Sequence, residues 1–127
     1  MTRLRLVTLA ILAFSTGSCG FSGVACPAIA CVNGLYVKLA AAPSGPYRIE
    51  VTSPGDPTPR VHDCASATAC GTVLLFQEYK PVTAVITVSY AGRTDSTNVV
   101  PNYATQSLND GPCRSLCTSA TVTVDLP

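Results

Sequence analysis

From Leu35 onward, single apolar and polar side chains alternate in short runs, each cut off by Pro, Gly, Asn or Asp. A period of two marks an extended strand with one face on a core, and no run keeps the 3.6-residue period of an amphipathic helix. In Leu35-Tyr36-Val37-Lys38-Leu39 the odd-numbered side chains face inward while Tyr36 and Lys38 face water. Pro43-Ser44-Gly45-Pro46 then reverses the chain, and Tyr47-Arg48-Ile49-Glu50-Val51 repeats the pattern, so these two runs are expected to pair antiparallel.

Three of the six residues in Pro54-Gly55-Asp56-Pro57-Thr58-Pro59 lack the amide hydrogen of a ladder, which predicts a loop. A strand over Arg60–Cys64 follows, then a turn region over Ala65–Gly71. The apolar run Thr72–Phe76 is expected to be buried on both faces. Val82–Tyr90 is the cleanest strand, with Ala84, Ile86, Val88 and Tyr90 on one face; Ala91-Gly92 predicts a hairpin turn into Arg93–Val100. Asn102–Ser115 is expected to be the longest irregular connection, and Ala120–Leu126 closes the chain with Ala120, Val122, Val124 and Leu126 inward. About seven strands without intervening helices predict an all-β fold, an antiparallel β-sandwich of immunoglobulin-like type. In coarse outline residues 32–127 resemble the immunoglobulin-like and carboxypeptidase-regulatory-like β-sandwich domains of secreted bacterial proteins. The resemblance rests on strand count and turns, so it carries no functional residue.

The first 18 residues differ from the rest. Arg3 and Arg5 precede a nine-residue uncharged run, Leu6–Phe14, and the small residues Ser15-Thr16-Gly17-Ser18. This is the layout of a secretory signal, and the run is far short of the roughly 20 residues that cross a bilayer. Thr16-Gly17-Ser18-Cys19 resembles the lipobox of bacterial lipoproteins, with Thr16 where Leu is usual. That resemblance implies cleavage before Cys19, acylation of Cys19 and a lipid-anchored, extracytoplasmic location. Gly20, in place of Asp, is compatible with outer-membrane sorting by the same resemblance. The expected organisation is therefore a signal over 1–18, a tether and first strand over 19–31, and the sandwich over 32–127.

Seven cysteines leave one unpaired, and setting Cys19 aside leaves an even six: Cys26, Cys31, Cys64, Cys70, Cys113 and Cys117. In an exported chain these are expected to form three disulfides. Their spacings of five, six and four residues suit zinc poorly, and no Cys-x-x-Cys redox motif is present. Neighbour pairing is expected, Cys64 with Cys70 and Cys113 with Cys117, because each segment holds Gly, Pro or small residues able to turn back, which leaves Cys26 with Cys31.

Without the signal, six of the eight basic side chains remain against seven acidic ones, a net charge of −1. No basic cluster favours nucleic acid. The single histidine, His62, adjoins Asp63, but strand neighbours point to opposite faces, and no Gly-x-Ser-x-Gly elbow is present. Asp56, Asp63, Asp95, Asp110, Asp125, Glu50 and Glu78 are scattered singly. No catalytic residue, metal ligand or cofactor is assigned, and the chain is not expected to be an enzyme. Tyr36 on an outward face, Tyr103 in the long connection and Thr58 in the Pro-rich loop are the candidate binding residues, because tyrosine joins a broad apolar ring to a polar tip and loops carry recognition on rigid frames. The expected role is a lipid-anchored envelope domain that binds or scaffolds an envelope protein or glycan. A small secreted inhibitor, with the Ala65–Ala69 loop as its contact, or a carbohydrate-binding module are the alternatives.

Overall fold

The computed structural model describes Cys26 and residues 31–127; the signal, Cys19 and most of the tether lie outside the described residues. Among the described residues eight strands form two four-stranded sheets. The first sheet runs in the order β4 (Val73–Gln77), β1 (Gly34–Leu39), β8 (Ser115–Val124), β7 (Ala104–Leu108). The second runs β3 (Asp56–Cys64), β2 (Tyr47–Ser53), β5 (Ala84–Tyr90), β6 (Arg93–Val99). Both sheets feed one core. Leu35, Val37, Leu39, Leu74, Phe76, Ala120 and Val124 come from the first; Tyr47, Ile49, Val51, Ala84, Ile86 and Val88 come from the second. The inward residues expected of β1, β2 and β5 are the ones buried, except that Tyr90 is only half-buried. At the carboxyl end Ala120 and Val124 are buried, while Val122 and Leu126 are half-buried.

Several expectations are corrected. β1 and β2 do not pair; they lie in different sheets, and β1 pairs antiparallel with β4 and parallel with β8. The fold is thus not purely antiparallel. The strand β3 begins at Asp56, so the turn shrinks to Pro54-Gly55. Pro57 and Pro59 are accommodated because β3 is an edge strand and its register slips between Val51 and Ser53, the settings in which a missing amide hydrogen costs least. The run after Thr72 is buried on one face only: β4 is also an edge strand, and Val73 is 47% exposed. The Ala65–Gly71 region holds a one-turn helix, α1 (Ala67–Cys70), whose cap is Ser66, its hydroxyl accepting from the Ala69 amide. The long connection is not irregular either, since β7 and a 3-10 turn at Gly111–Cys113 lie within it. The Ala91-Gly92 hairpin is as expected, with both residues at positive φ as a type I′ turn requires.

The disulfide pairing corrects the neighbour assignment. Cys64 does join Cys70, but Cys26 joins Cys113 and Cys31 joins Cys117, with Cα–Cα distances of 5.8, 5.2 and 5.6 Å. The two long-range bonds tie the segment before β1 to the β7–β8 hairpin. Whichever forms first closes a loop spanning 86 or 87 residues, worth about 4–5 kcal/mol in the loop-closure model. The second then closes only the small ring made by Cys26–Cys31 and Cys113–Cys117, worth about 2–3 kcal/mol. Removing either bond by paired Cys→Ser substitution is therefore expected to cost about 2–3 kcal/mol. Removing both should cost about 7 kcal/mol, more than twice the single loss, in urea unfolding of the otherwise oxidised protein. Equal, additive losses would contradict this pairing.

Gly34 opens β1 with φ +144°, and a Cβ there would meet the carbonyl oxygen of Phe76. That backbone region belongs almost to glycine alone, and the obstacle is main chain. Gly34→Ala is expected to cost at least about 1–3 kcal/mol, read as a lower urea midpoint with unchanged disulfides.

Candidate functional site

Strand alternation decides where each candidate side chain points. On β3, His62 pairs with buried Ile49 and so faces the core side, whereas Asp63 pairs with Arg48 on the outer face. The Arg48 guanidinium donates from Nη1 to both Asp63 oxygens at 3.1 and 3.0 Å, and Glu50 lies 3.5 Å from Nη2. The His62 ring instead meets Phe76 edge-on at 4.7 Å, and its Nε2 lies 3.0 Å from the Leu75 carbonyl oxygen. Leu39 N–H bonds the Thr72 carbonyl and Glu78 N–H the Asn33 carbonyl, so by antiparallel alternation Leu75 points its own carbonyl away from β1, toward the open edge. His62 caps that edge. Histidine and aspartate thus act on opposite sides of one strand and share no site.

Of the three candidate binding residues, Thr58 is exposed on β3, its amide bonded to Asp56 Oδ1 at 3.2 Å. Tyr36 is half-buried on the outer face of the first sheet, in a depression of about 320 Å³ that also involves the Cys31–Cys117 bridge, Gln106, Ser119 and Thr121. Tyr103 is not free for contact: its hydroxyl donates to the Pro81 carbonyl at 3.0 Å and its ring packs against the core. Burial and the nearby Tyr79 push its hydroxyl up to about 12. The three residues lie on separate elements and form no common site.

The sequence reading misses the larger groove, of about 550 Å³, at the end of the second sheet where the Ala91-Gly92 turn lies. Tyr47 and Tyr90 give it apolar wall, and Arg48, Asp63 and Arg93 give it charge. Tyr90 is held by Ser44, whose hydroxyl lies 2.8 Å and whose amide 3.2 Å from the phenol oxygen; these bonds lower the Tyr90 hydroxyl from its usual range. Arg48 is committed to Asp63 and Glu50, while Arg93 has no ion pair among the described residues. The groove depends on the β2–β3 and β2–β5 registers, which bring together residues distant in sequence. Local pattern carries no signal for it. No cluster of three metal-ligating side chains occurs among the described residues.

Comparison with family models, characterised proteins and solved structures yields no match for the chain. What fold and bonding define is a class: an all-β domain closed by three disulfides, a chemistry that belongs to oxidising, extracytoplasmic compartments.

Two tyrosines near Pro81 make opposite predictions. Tyr79 is buried with no hydrogen-bond partner for its hydroxyl among the described residues, so Tyr79→Phe is expected to be neutral or stabilising by up to about 1 kcal/mol. Tyr103→Phe leaves the Pro81 carbonyl without its donor and is expected to cost about 1 kcal/mol. Because the folded state holds the Tyr103 hydroxyl above its ordinary value near 10, its contribution is complete below pH 10 and is lost as pH rises toward 12. Urea midpoints between pH 9 and about 11.5 should fall for the wild type and fall less steeply for Tyr103→Phe.

Proposed function

We propose that this chain is an exported lipoprotein whose immunoglobulin-like β-sandwich works by contact with another envelope component and not by turnover. The observation that carries this reading is the disulfide pattern. Three bonds use Cys26, Cys31, Cys64, Cys70, Cys113 and Cys117, leaving as the seventh cysteine Cys19, which stands directly behind Thr16-Gly17-Ser18. An odd cysteine at a signal boundary serves as an acylation site, and two or more acyl chains anchor stably, at about 0.8 kcal/mol per buried methylene. The separation of His62 from Asp63 favours binding over hydrolysis. The groove around Arg48, Tyr90 and Arg93 joins apolar wall to fixed charge, which suits recognition of an anionic or polar segment.

One observation favours a second reading as a small inhibitor. Cys64–Cys70 braces Ala65–Ala69, a rigid and mostly exposed projection, although its helical turn differs from the extended loop that fills a protease cleft. A carbohydrate-binding module is favoured less, since none of the five tyrosines is fully exposed.

Expressed in a bacterial host, the chain is expected to carry a lipid-modified amino-terminal Cys19 by intact mass, and Cys19→Ala is expected to leave the membrane fraction. An unmodified amino terminus at another residue would refute the anchor.

A further inference from the structure

An exposed strand edge is a row of unused amide and carbonyl groups, and folded proteins usually obstruct such edges. Among the described residues two sheets give four of them, and three are obstructed. β3 carries Pro57 and Pro59. On β4, His62 occupies the outward Leu75 carbonyl. On β6, Asp95 lies opposite buried Val88 and Arg93 opposite Tyr90, so both charges sit on the inward-facing side of an edge strand, a placement that resists strand addition.

β7 has none of these devices. Ala104-Thr105-Gln106-Ser107-Leu108 contains neither proline nor charge, and four of its five residues are exposed. Its polar side-chain contacts run back within its own hairpin, Thr105 to Thr118 at 3.0 Å and Ser107 accepting from Arg114 Nε at 3.1 Å. The edge is also raised clear of the fold's other strands, because β8 extends by Ser115–Thr118 beyond Ser119, the partner of the first residue of β1. Cys26–Cys113 and Cys31–Cys117 stiffen that extension.

We propose that β7 is a self-association edge whose partner is β7 of a second copy of this chain, paired antiparallel about Gln106. The choice of occupant comes from the strand itself. Pairing about Gln106 sets Ala104 opposite Leu108, Thr105 opposite Ser107 and Gln106 opposite Gln106, so apolar meets apolar, hydroxyl meets hydroxyl and amide meets amide. Hydroxyl pairs of this kind already join strands elsewhere in the molecule, Thr87 with Ser96 at 2.8 Å and Ser89 with Thr94 at 3.0 Å. No like charges confront each other, and the contact is isologous, so it closes as a two-fold dimer. Five residues per strand make a small interface, which places the dissociation constant at the weak, micromolar-or-above end.

The test uses the mature chain, exported with Cys19→Ser behind an ordinary cleavable signal, so that no acyl chain contributes to association. Sedimentation equilibrium should show the average mass climbing toward twice the monomer between about 1 µM and about 1 mM, with amides of 104–108 gaining protection from hydrogen exchange at the high end. Gln106→Lys should stay monomeric over that range with an unchanged disulfide map, and mixing it with Gln106→Glu should restore the dimer. Ala104→Lys, on the same face, provides the reading if Gln106→Lys fails to fold. A wild type monomeric at 1 mM, or lysine variants that dimerise as the wild type does, would overturn the proposal.

Discussion

Gly34–Leu39 lies parallel to Ser119–Val124, the first described strand against the last, and the rest of the described structure is organised around that contact. Parallel neighbours need a connection from one end of the sheet to the other, so the intervening chain cannot return by a tight turn. Here it builds all four strands of the second sheet, and β4 and β7 of the first, before β8 closes beside β1. β1 is thereby central in its sheet, flanked by β4 and β8, and its inward Leu35, Val37 and Leu39 are almost fully buried. At about 25 cal/mol per Å² of apolar surface removed from water, such fully buried aliphatic side chains contribute about 1.5–3 kcal/mol each, before the entropy of ordering the chain is set against them.

The faces of the interior strands were legible in the sequence, but of the pairings only the β5–β6 hairpin was. Leu35/Val37/Leu39, Ile49/Val51 and Ala84/Ile86/Val88 turn inward as their alternation requires, because facing is a local consequence of the two-residue period. Pairing is decided by the whole core, which is why β1 and β2, adjacent in sequence, lie in different sheets. β7 escaped notice since Ala104–Leu108 buries little and so lacks an apolar stripe. The first four residues of β3, Asp56–Pro59, were hidden by prolines that an edge position tolerates. Cys64 with Cys70 was legible, but the partners of Cys26 and Cys31 were misjudged because neighbour loops are cheap to close in an unfolded chain, whereas the native partners are set by the parallel alignment that carries Cys31 beside Cys117. Of the candidate residues, Tyr36 and Thr58 are accessible, Tyr103 is structural, and the Arg48–Asp63–Tyr90–Arg93 groove has no local signature.

The two lateral sides of the molecule differ in character. On one, β3 and β4 approach through His62, Phe76 and the Arg60 guanidinium, 4.3 Å above the Tyr79 ring, and seal the core with aromatic and cationic groups. On the other, β6 and β7 present mainly Thr, Ser, Asn and Gln, with Arg93 and Asp95 as the charges on these two strands, over apolar residues that belong to the interior strands. The sealed side suits a wall; the hydroxyl-rich side can meet another surface without exposing the core.

The bond between Cys26 and Cys113 also governs how the protein bears a mechanical load. Tension that enters through residues preceding Cys26 and leaves through residues following Cys117 crosses directly from one cysteine to the other. The segment from Cys31 to Cys113 is bypassed, and with it every strand from β1 to β7. What remains in the force path is Cys113 to the carboxyl end, chiefly β8, which Cys31–Cys117 clamps again within one turn of the first bond. Pulled between these points, a domain of this design extends only through the stretch after Cys117, which draws Ala120 and Val124 out of the core, while the oxidised bonds keep the load off β1 to β7.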